Sequence, residues 1–511
     1  MKFPASRKQQ VLAMVGLLGL AGALSASVLP NLFPFRDNAG VVSTYSTGGP
    51  IEENGPFFQS LGTNGRECVT CHEPSDAMSI TPPHIQERFE LTRGNDALFA
   101  TVDGANCPAD PRSARSSHSL LLSHGLIRVG ITLPAKPQFT IATVHDPYGC
   151  AIVTDPVTKL VTVSIYRRPL PSTNLHFLST IMFDGRETVQ PLTTKTTFAQ
   201  NLMTDLKQQA SDAVLIHAQG AAAPSDAVLT SIVNFELGLY TAQAEDDKAG
   251  LLNANGGTGG AYNLSKTNYY PGINDVLGAD PNGVAFNPES MNLFSAWTQP
   301  EGRGHDSHDD YSNSFRGGFL GGFDRYNSQE QAREDIAAGQ KIFTTFPLTI
   351  SNVRGLNDNA AISSPATIAG TCTTCHDAPN VGDHSLPLPL DIATSHPAAY
   401  EHDPDISAAL AELDPANVPI FEISGCPNPF DPTDSNPVYT TDPGKALVTG
   451  NCSDLNRGKG PILRGLAARA PYFHNGAAAD LKQLVNFYNL RFRMNLTDKE
   501  KHQLIAFLNS L

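Results

Sequence analysis

Two five-residue stretches, CVTCH at 68–72 and CTTCH at 372–376, take four of the eight cysteines in the chain. Eight Cys and fifteen His placed at random would produce one C-x-x-C-H about 0.004 times in this length. Such a repeat has a chemical cause. Two thiols three residues apart can bond the two vinyl groups of one porphyrin while the adjacent imidazole reaches its iron. C-x-x-C-H is therefore the attachment pattern of haem c, with Cys68, Cys71 and His72 at one site and Cys372, Cys375 and His376 at the other. Two alternatives use the same residues: one zinc site built from both C-x-x-C pairs, or a redox dithiol. Neither needs His at the same offset twice.

The ends and the composition bound the setting. Lys2, Arg7 and Lys8 precede the apolar run VLAMVGLLGLAGALSAS, which reads as a signal peptide over residues 1–27 and places the folded part in the periplasm. An uncleaved anchor is the alternative, although the run is short for a bilayer span. In an oxidising compartment the remaining cysteines pair naturally within each half, Cys107 with Cys150 and Cys426 with Cys452. A net charge of −15 argues against nucleic acid and favours a basic docking partner.

The elements that must carry the two pentapeptides are mostly short. Residues 28–55 read as an irregular arm, followed by a short helix with Phe57 and Phe58 ahead of the first haem loop. Residues 130–168 alternate β-branched residues with turn signals, as one or two inserted hairpins would. Helical periodicity returns over 198–220 and 225–245. The Gly-, Asn- and Ser-rich stretch 248–325 reads as a long loop or lid. A helix capped by Ser328 opens the last segment, and Thr497 with Glu500 forms a capping box for its final helix. The expected fold is mainly α: two cytochrome c-type haem domains, 28–327 and 328–511, with loop and β-hairpin insertions in the first.

Three features together resemble the bacterial dihaem cytochrome c peroxidases and their MauG-type relatives. They are the two haem motifs, MFDGRE at 182–187 downstream of RRPLPSTNLHFLST, and LRGLAARAPYFHNGAAADLKQLVNFY at 463–488. The resemblance covers about residues 50–240 and 328–511. It implies two covalently bound haems c, with hydrogen peroxide reacting at the N-terminal haem on His72. The C-terminal haem on His376 would relay electrons from a small donor protein. It places His474 near the relay haem, allows a calcium ion between the domains, which no EF-hand-like spacing supports here, and is compatible with a homodimer.

Where the chain departs from that pattern, the residues leave choices open. The second iron's other ligand is Tyr488, as in MauG-type enzymes, or Met494, and a phenolate favours ferric and higher states where a thioether favours ferrous iron. Other members carry a Gln before the FWDGR-type motif and a Glu in EQA; this chain has Ile181 and Gln208, and Gln cannot move a proton. His217 is the leading substitute, with His84, His118 and His124 behind it, while Arg186 suits a propionate partner. His217 and Gln208 would point to opposite faces of an unbroken helix. The expected function is thus a periplasmic dihaem peroxidase. The alternatives are a MauG-like enzyme oxidising a protein or organic substrate, a non-catalytic dihaem electron carrier, or a haem oxygenase with 248–325 as its lid.

Overall fold

A computed structural model describes residues 28–298, 320–431 and 433–511, with only the backbone given for 320–327. The expected signal peptide lies outside the described residues. Helix accounts for 32% of the chain and strand for 16%, the strands divided among several small sheets.

In the N-terminal half the arm is not irregular. Strand β1 (Gly40–Ser46) pairs antiparallel with a strand nearly two hundred residues later, Ser46 opposite Leu239 and Gly40 opposite Asp246. The β-branched run VVSTYS carries the propensity, but its partner is too distant for a local pattern to reveal. Strands β2 (Ile127–Thr132), β3 (Thr140–His145) and β4 (Val161–Arg167) follow. β2 pairs with β4, whereas β3 leaves that hairpin. Helices α1 (Phe198–Ile216) and α2 (Asp226–Leu237) come next. α1 buries Leu202, Leu206, Ala210 and Val214 at helical spacing, and the Ser225 hydroxyl accepts from Val228 N–H at the start of α2. Strand β5 (Leu239–Asp246) closes the sheet on β1.

The C-terminal half is built on the crossing of α3 (Leu320–Thr345) with its last helix. α3 begins upstream of Ser328, so that residue lies inside the helix rather than at its cap. Strand β6 (Ile420–Ser424), helix α4 (Leu481–Arg491) and helix α5 (Asp498–Asn509) complete the half. The Thr497–Glu500 capping box is formed at the start of α5. Ile336 and Phe343 of α3 share a core with Leu504 and Phe507 of α5. The helices touch at Gly339, where a Cβ would sit 1.9 Å from the Gln503 carbonyl oxygen, so only glycine permits the approach.

Residues 248–298 pack as a wall of this core rather than as a lid. Trp297 stacks on Phe294 at 4.7 Å between ring centroids, Phe294 meets Phe507, and the Trp297 indole N–H donates to Ala254 O. The two halves are also sewn together. β3 pairs with β6, Thr140 opposite Ser424, and Phe139, Val163 and Ile165 share a core with Phe421, Ile423 and Leu455. Cys107 is joined to Cys150 and Cys426 to Cys452, one bridge within each half.

Candidate haem-binding sites

The two pentapeptides fold alike. Cys68–Thr70 and Cys372–Thr374 are single 3-10 turns. In each, the third-position threonine hydroxyl accepts a backbone N–H, Glu67 N at 3.0 Å and Thr371 N at 2.9 Å. His72 and His376 then donate their backbone N–H to Cys68 O and Cys372 O, both at 3.1 Å. In each loop the imidazole Nδ1–H points at a carbonyl six residues on, Met78 O at 3.2 Å and Gly382 O at 2.5 Å. That bond fixes the tautomer and leaves Nε2 with a bare lone pair, the arrangement a metal ligand needs. Burial presses both imidazoles down to about 4, so both are neutral near pH 7. A phenylalanine flanks each ring, Phe57 at 6.3 Å and Phe343 at 5.9 Å.

The four motif cysteines form no disulfide. Burial pushes their thiols up, to about 12 for Cys68, Cys372 and Cys375 and about 11 for Cys71. Dithiol catalysis wants an accessible thiolate, and these surroundings oppose it. Among the described residues no three His, Cys, Asp or Glu side chains are grouped to hold a metal ion, so the two C-x-x-C pairs do not converge on one. Buried neutral thiols beside a bare imidazole nitrogen suit covalent haem attachment instead.

At the second loop the fit extends to a cavity. About 1820 Å³ free of protein atoms, its open mouth included, is walled by Cys372, Cys375 and His376 on one side and by residues such as Leu348, Ile350 and Leu504. Tyr488 and Met494 both line it. Burial raises the Tyr488 phenol, so only a bound metal would hold it as phenolate. His384 also lines the cavity, buried, its Nδ1 3.6 Å from Asp377 Oδ2 but neither ring nitrogen hydrogen-bonded to a described residue, and the Asn456 amide in the same wall is likewise without a hydrogen bond. Orphaned polar atoms in a buried wall point to a ligand that brings polar groups of its own.

His474 stands at the cavity's edge, stacked on Phe183 at 4.4 Å and 11°. The PYFHNG and MFDGRE motifs, one from each half, therefore meet face to face. Around them runs a buried ionic chain. Arg167 takes Asp442 in two-point fashion at 2.6 and 2.9 Å and reaches Asp184 at 2.5 Å, and Asp184 also takes Arg186 at 2.9 Å. Burial works against both carboxylates, but Arg167, joined by Arg186 at Asp184 and by His474 and the Gly444 N–H at Asp442, holds them below the usual range. Arg186 is thus committed to Asp184 and, more loosely, to Glu187.

Near the first loop, His217 ends α1 with its Nδ1 against Asp103, and Asp103 is gripped in turn by Arg66. Burial opposes the Asp103 carboxylate, yet Arg66 and the His217 hydrogen bond hold it below its ordinary value. Gln208 lies on the exposed side of the same helix, its amide donating to Asp212 at 3.0 Å. His118 is a core residue with ring nitrogens 2.6 and 2.7 Å from the Gly104 and Arg112 carbonyls. His84 pairs with Asp76 and His124 with Ser123, each partly exposed. Sequence reading missed Glu236, buried on α2 close to Cys68, whose carboxyl burial pushes up to about 8. Its signal was an acid sharing the buried face of Ile232 and Val233.

No family model and no solved structure matches the chain. Among characterised proteins it is 29% identical over 152 residues to the cytochrome-c peroxidase IdrP2 of Denitromonas iodatirespirans, a match covering 28% of this chain and 36% of that one. It is 26% identical over 154 residues to cytochrome-c peroxidase IdrP1 of Pseudomonas sp. strain SCT, covering 27% and 36%. It is 37% identical over 78 residues to the cytochrome c551 peroxidase of Nitrosomonas europaea, covering 15% and 23%. The matched segments span about a third or less of those relatives. Together with the two C-x-x-C-H loops, these similarities support a bacterial cytochrome-c peroxidase family for the chain.

Proposed function

We propose that the chain is a dihaem c-type peroxidase acting on hydrogen peroxide, one haem attached at Cys68, Cys71 and His72 and the other at Cys372, Cys375 and His376. The observation that carries this is the duplicated loop: twice, a buried neutral histidine turns a bare Nε2 away from its own carbonyl-bound Nδ1, beside two buried thiols. When bound, haem supplies a redox-active iron that can reduce peroxide and exchange electrons with a donor.

The chain's residues then have separable tasks. Met78 O and Gly382 O orient the two ligand histidines and raise their basicity. The Arg66–Asp103–His217 series lies beside the first loop, and His217 there can accept and return a proton while Asp103 fixes its ring. Phe183 and His474 fill the seam between the two halves with stacked rings, at the edge of the second cavity. Tyr488 in the second cavity favours a second reading, a MauG-type enzyme that oxidises a protein or organic substrate.

The test is an electron paramagnetic resonance spectrum of the ferric protein, after a pyridine haemochrome count of haem per chain, before and after one equivalent of hydrogen peroxide. Two haems with a high-spin signal that disappears on peroxide support a peroxidase. Two low-spin signals indifferent to peroxide, before and after partial reduction, refute it and leave an electron carrier.

A further inference from the structure

The cavity that contains His376 has two arginines in its wall, and neither is paired with an acid among the described residues. Arg168 follows β4 in the N-terminal half, and Arg469 precedes the PYFHNG turn in the C-terminal half. They touch, an Arg168 Nη2–H donating to Arg469 O at 3.3 Å. Every hydrogen bond their guanidinium groups make among the described residues goes to a backbone carbonyl. Arg168 also donates to His124 O at 3.2 Å and Ile80 O at 2.9 Å. Arg469 donates to Gly465 O, Ile462 O and Arg464 O at 3.2, 2.9 and 2.6 Å. Arg168 Nε and Arg469 Nη1 donate to none of the described residues.

The ionisable groups that face the pair are already engaged. Asp76 accepts from Thr81 and pairs with His84, and the Tyr472 hydroxyl donates to Leu466 O. Arg167, one residue from Arg168, shows the contrast with its two aspartates. Burial presses Arg168 and Arg469 down to about 10, and the charge of Arg469 adds to the pressure on Arg168. Two adjacent cations in a largely apolar wall call for an anion that arrives with the ligand. The planar guanidinium fork matches a carboxylate, and haem carries two propionates.

Resting on the haem reading above, we propose that Arg168 and Arg469 together clamp a propionate of the haem carried by His376. Because one arginine comes from each half, loading that haem fastens the halves to each other.

The experiment compares full-length haem-loaded protein with Arg168→Met, Arg469→Met and the double variant. Haem is counted by pyridine haemochrome and each midpoint potential is titrated over a range of pH, the His376 haem being assigned by the spectrum that changes in His376→Gly. Losing one clamp cation disfavours the reduced state. Each single Met variant is expected to lower the reduced-to-oxidised ratio of the His376 haem about tenfold at fixed potential, ~59 mV for one electron. Its potential also gains a slope across neutral pH, because the released propionate now titrates there. The double variant shifts less than the sum, since both arginines serve one carboxylate. Arg469→Lys, which keeps the charge and is the milder change for folding, retains most of the potential. Wild-type potentials and pH profiles in variants that hold two haems overturn the clamp, as does a shift confined to the His72 haem. A chain that binds no c-type haem overturns the haem reading itself.

Discussion

Replacing Arg167 with methionine removes the cation that links the halves through Asp442 and Asp184. All three side chains are 5% exposed or less. Breaking a buried pair by deleting one partner costs roughly 3–5 kcal/mol, because the other charge is left in the interior. Asp184 keeps Arg186, whereas Asp442 keeps, among the described residues, only the Gly444 N–H and a histidine at 3.7 Å. One carboxylate rather than two is therefore stranded, which puts the loss near the lower end, about 3 kcal/mol. The guanidinium also lies 4.9 Å from the Phe183 ring centre, and losing that contact adds about 0.5–1 kcal/mol.

The pH dependence separates this account from a packing defect. In the wild type both carboxylates have depressed pKa values, so their contribution is complete above the unfolded value of about 3.9 and disappears as pH falls through the folded values. In Arg167→Met, burial drives Asp442 the other way, above 3.9. The penalty is then present at neutral pH and is relieved by protonation. At 1.36 kcal/mol per unit, 3 kcal/mol spans about two units between the raised value in the variant and the depressed one in the wild type, so the difference between the two proteins narrows as pH falls from one to the other. Urea unfolding at pH 7 and pH 4.5 checks this. A difference below about 1 kcal/mol at pH 7, or one unchanged at pH 4.5, refutes the stranded-charge account.

Three further outcomes follow from the same structure. His217→Ala should slow the peroxide-dependent spectral change by about 10²-fold or more while haem content stays at two per chain, as stopped-flow mixing would show. Gly339→Ala places a methyl against the rigid Gln503 carbonyl at 1.9 Å and should destabilise by about 3 kcal/mol, read as a lower thermal midpoint. Cys107→Ala with Cys150→Ala opens a loop with a sequence separation of 43, for which chain entropy gives a loss of at most about 4 kcal/mol in denaturant titration.

What the sequence disclosed was what neighbouring residues determine. The C-x-x-C-H repeat specifies two equal turns because the thiols, the threonine and the histidine all lie within five residues, and the Thr497–Glu500 capping box is equally local. What it concealed depends on distant partners. VVSTYS has strand propensity, but nothing near it announces Leu239–Asp246, and β3 looked like half of a local hairpin until β6 claimed it. Asp103 carries no motif, and only folding brings it against His217. The 248–298 stretch seemed a loop because its anchors, Phe294 and Trp297, are too sparse for any period to register.

The same distinction explains how the halves are joined. MFDGRE and PYFHNG can each be recognised alone, but their shared task lies in the stack of Phe183 on His474, which neither motif encodes by itself. That stack tolerates little displacement. A Cβ at Gly458 would fall 2.1 Å from the Phe183 ring, so the ring occupies space that only a glycine leaves. Arg167 holds one aspartate from each half, and β3 is hydrogen-bonded into the sheet of β6. A seam made of a fitted ring, a buried two-sided ion pair and a shared sheet cannot slide without breaking all three. Groups on its two sides are therefore held together by contacts that each half contributes.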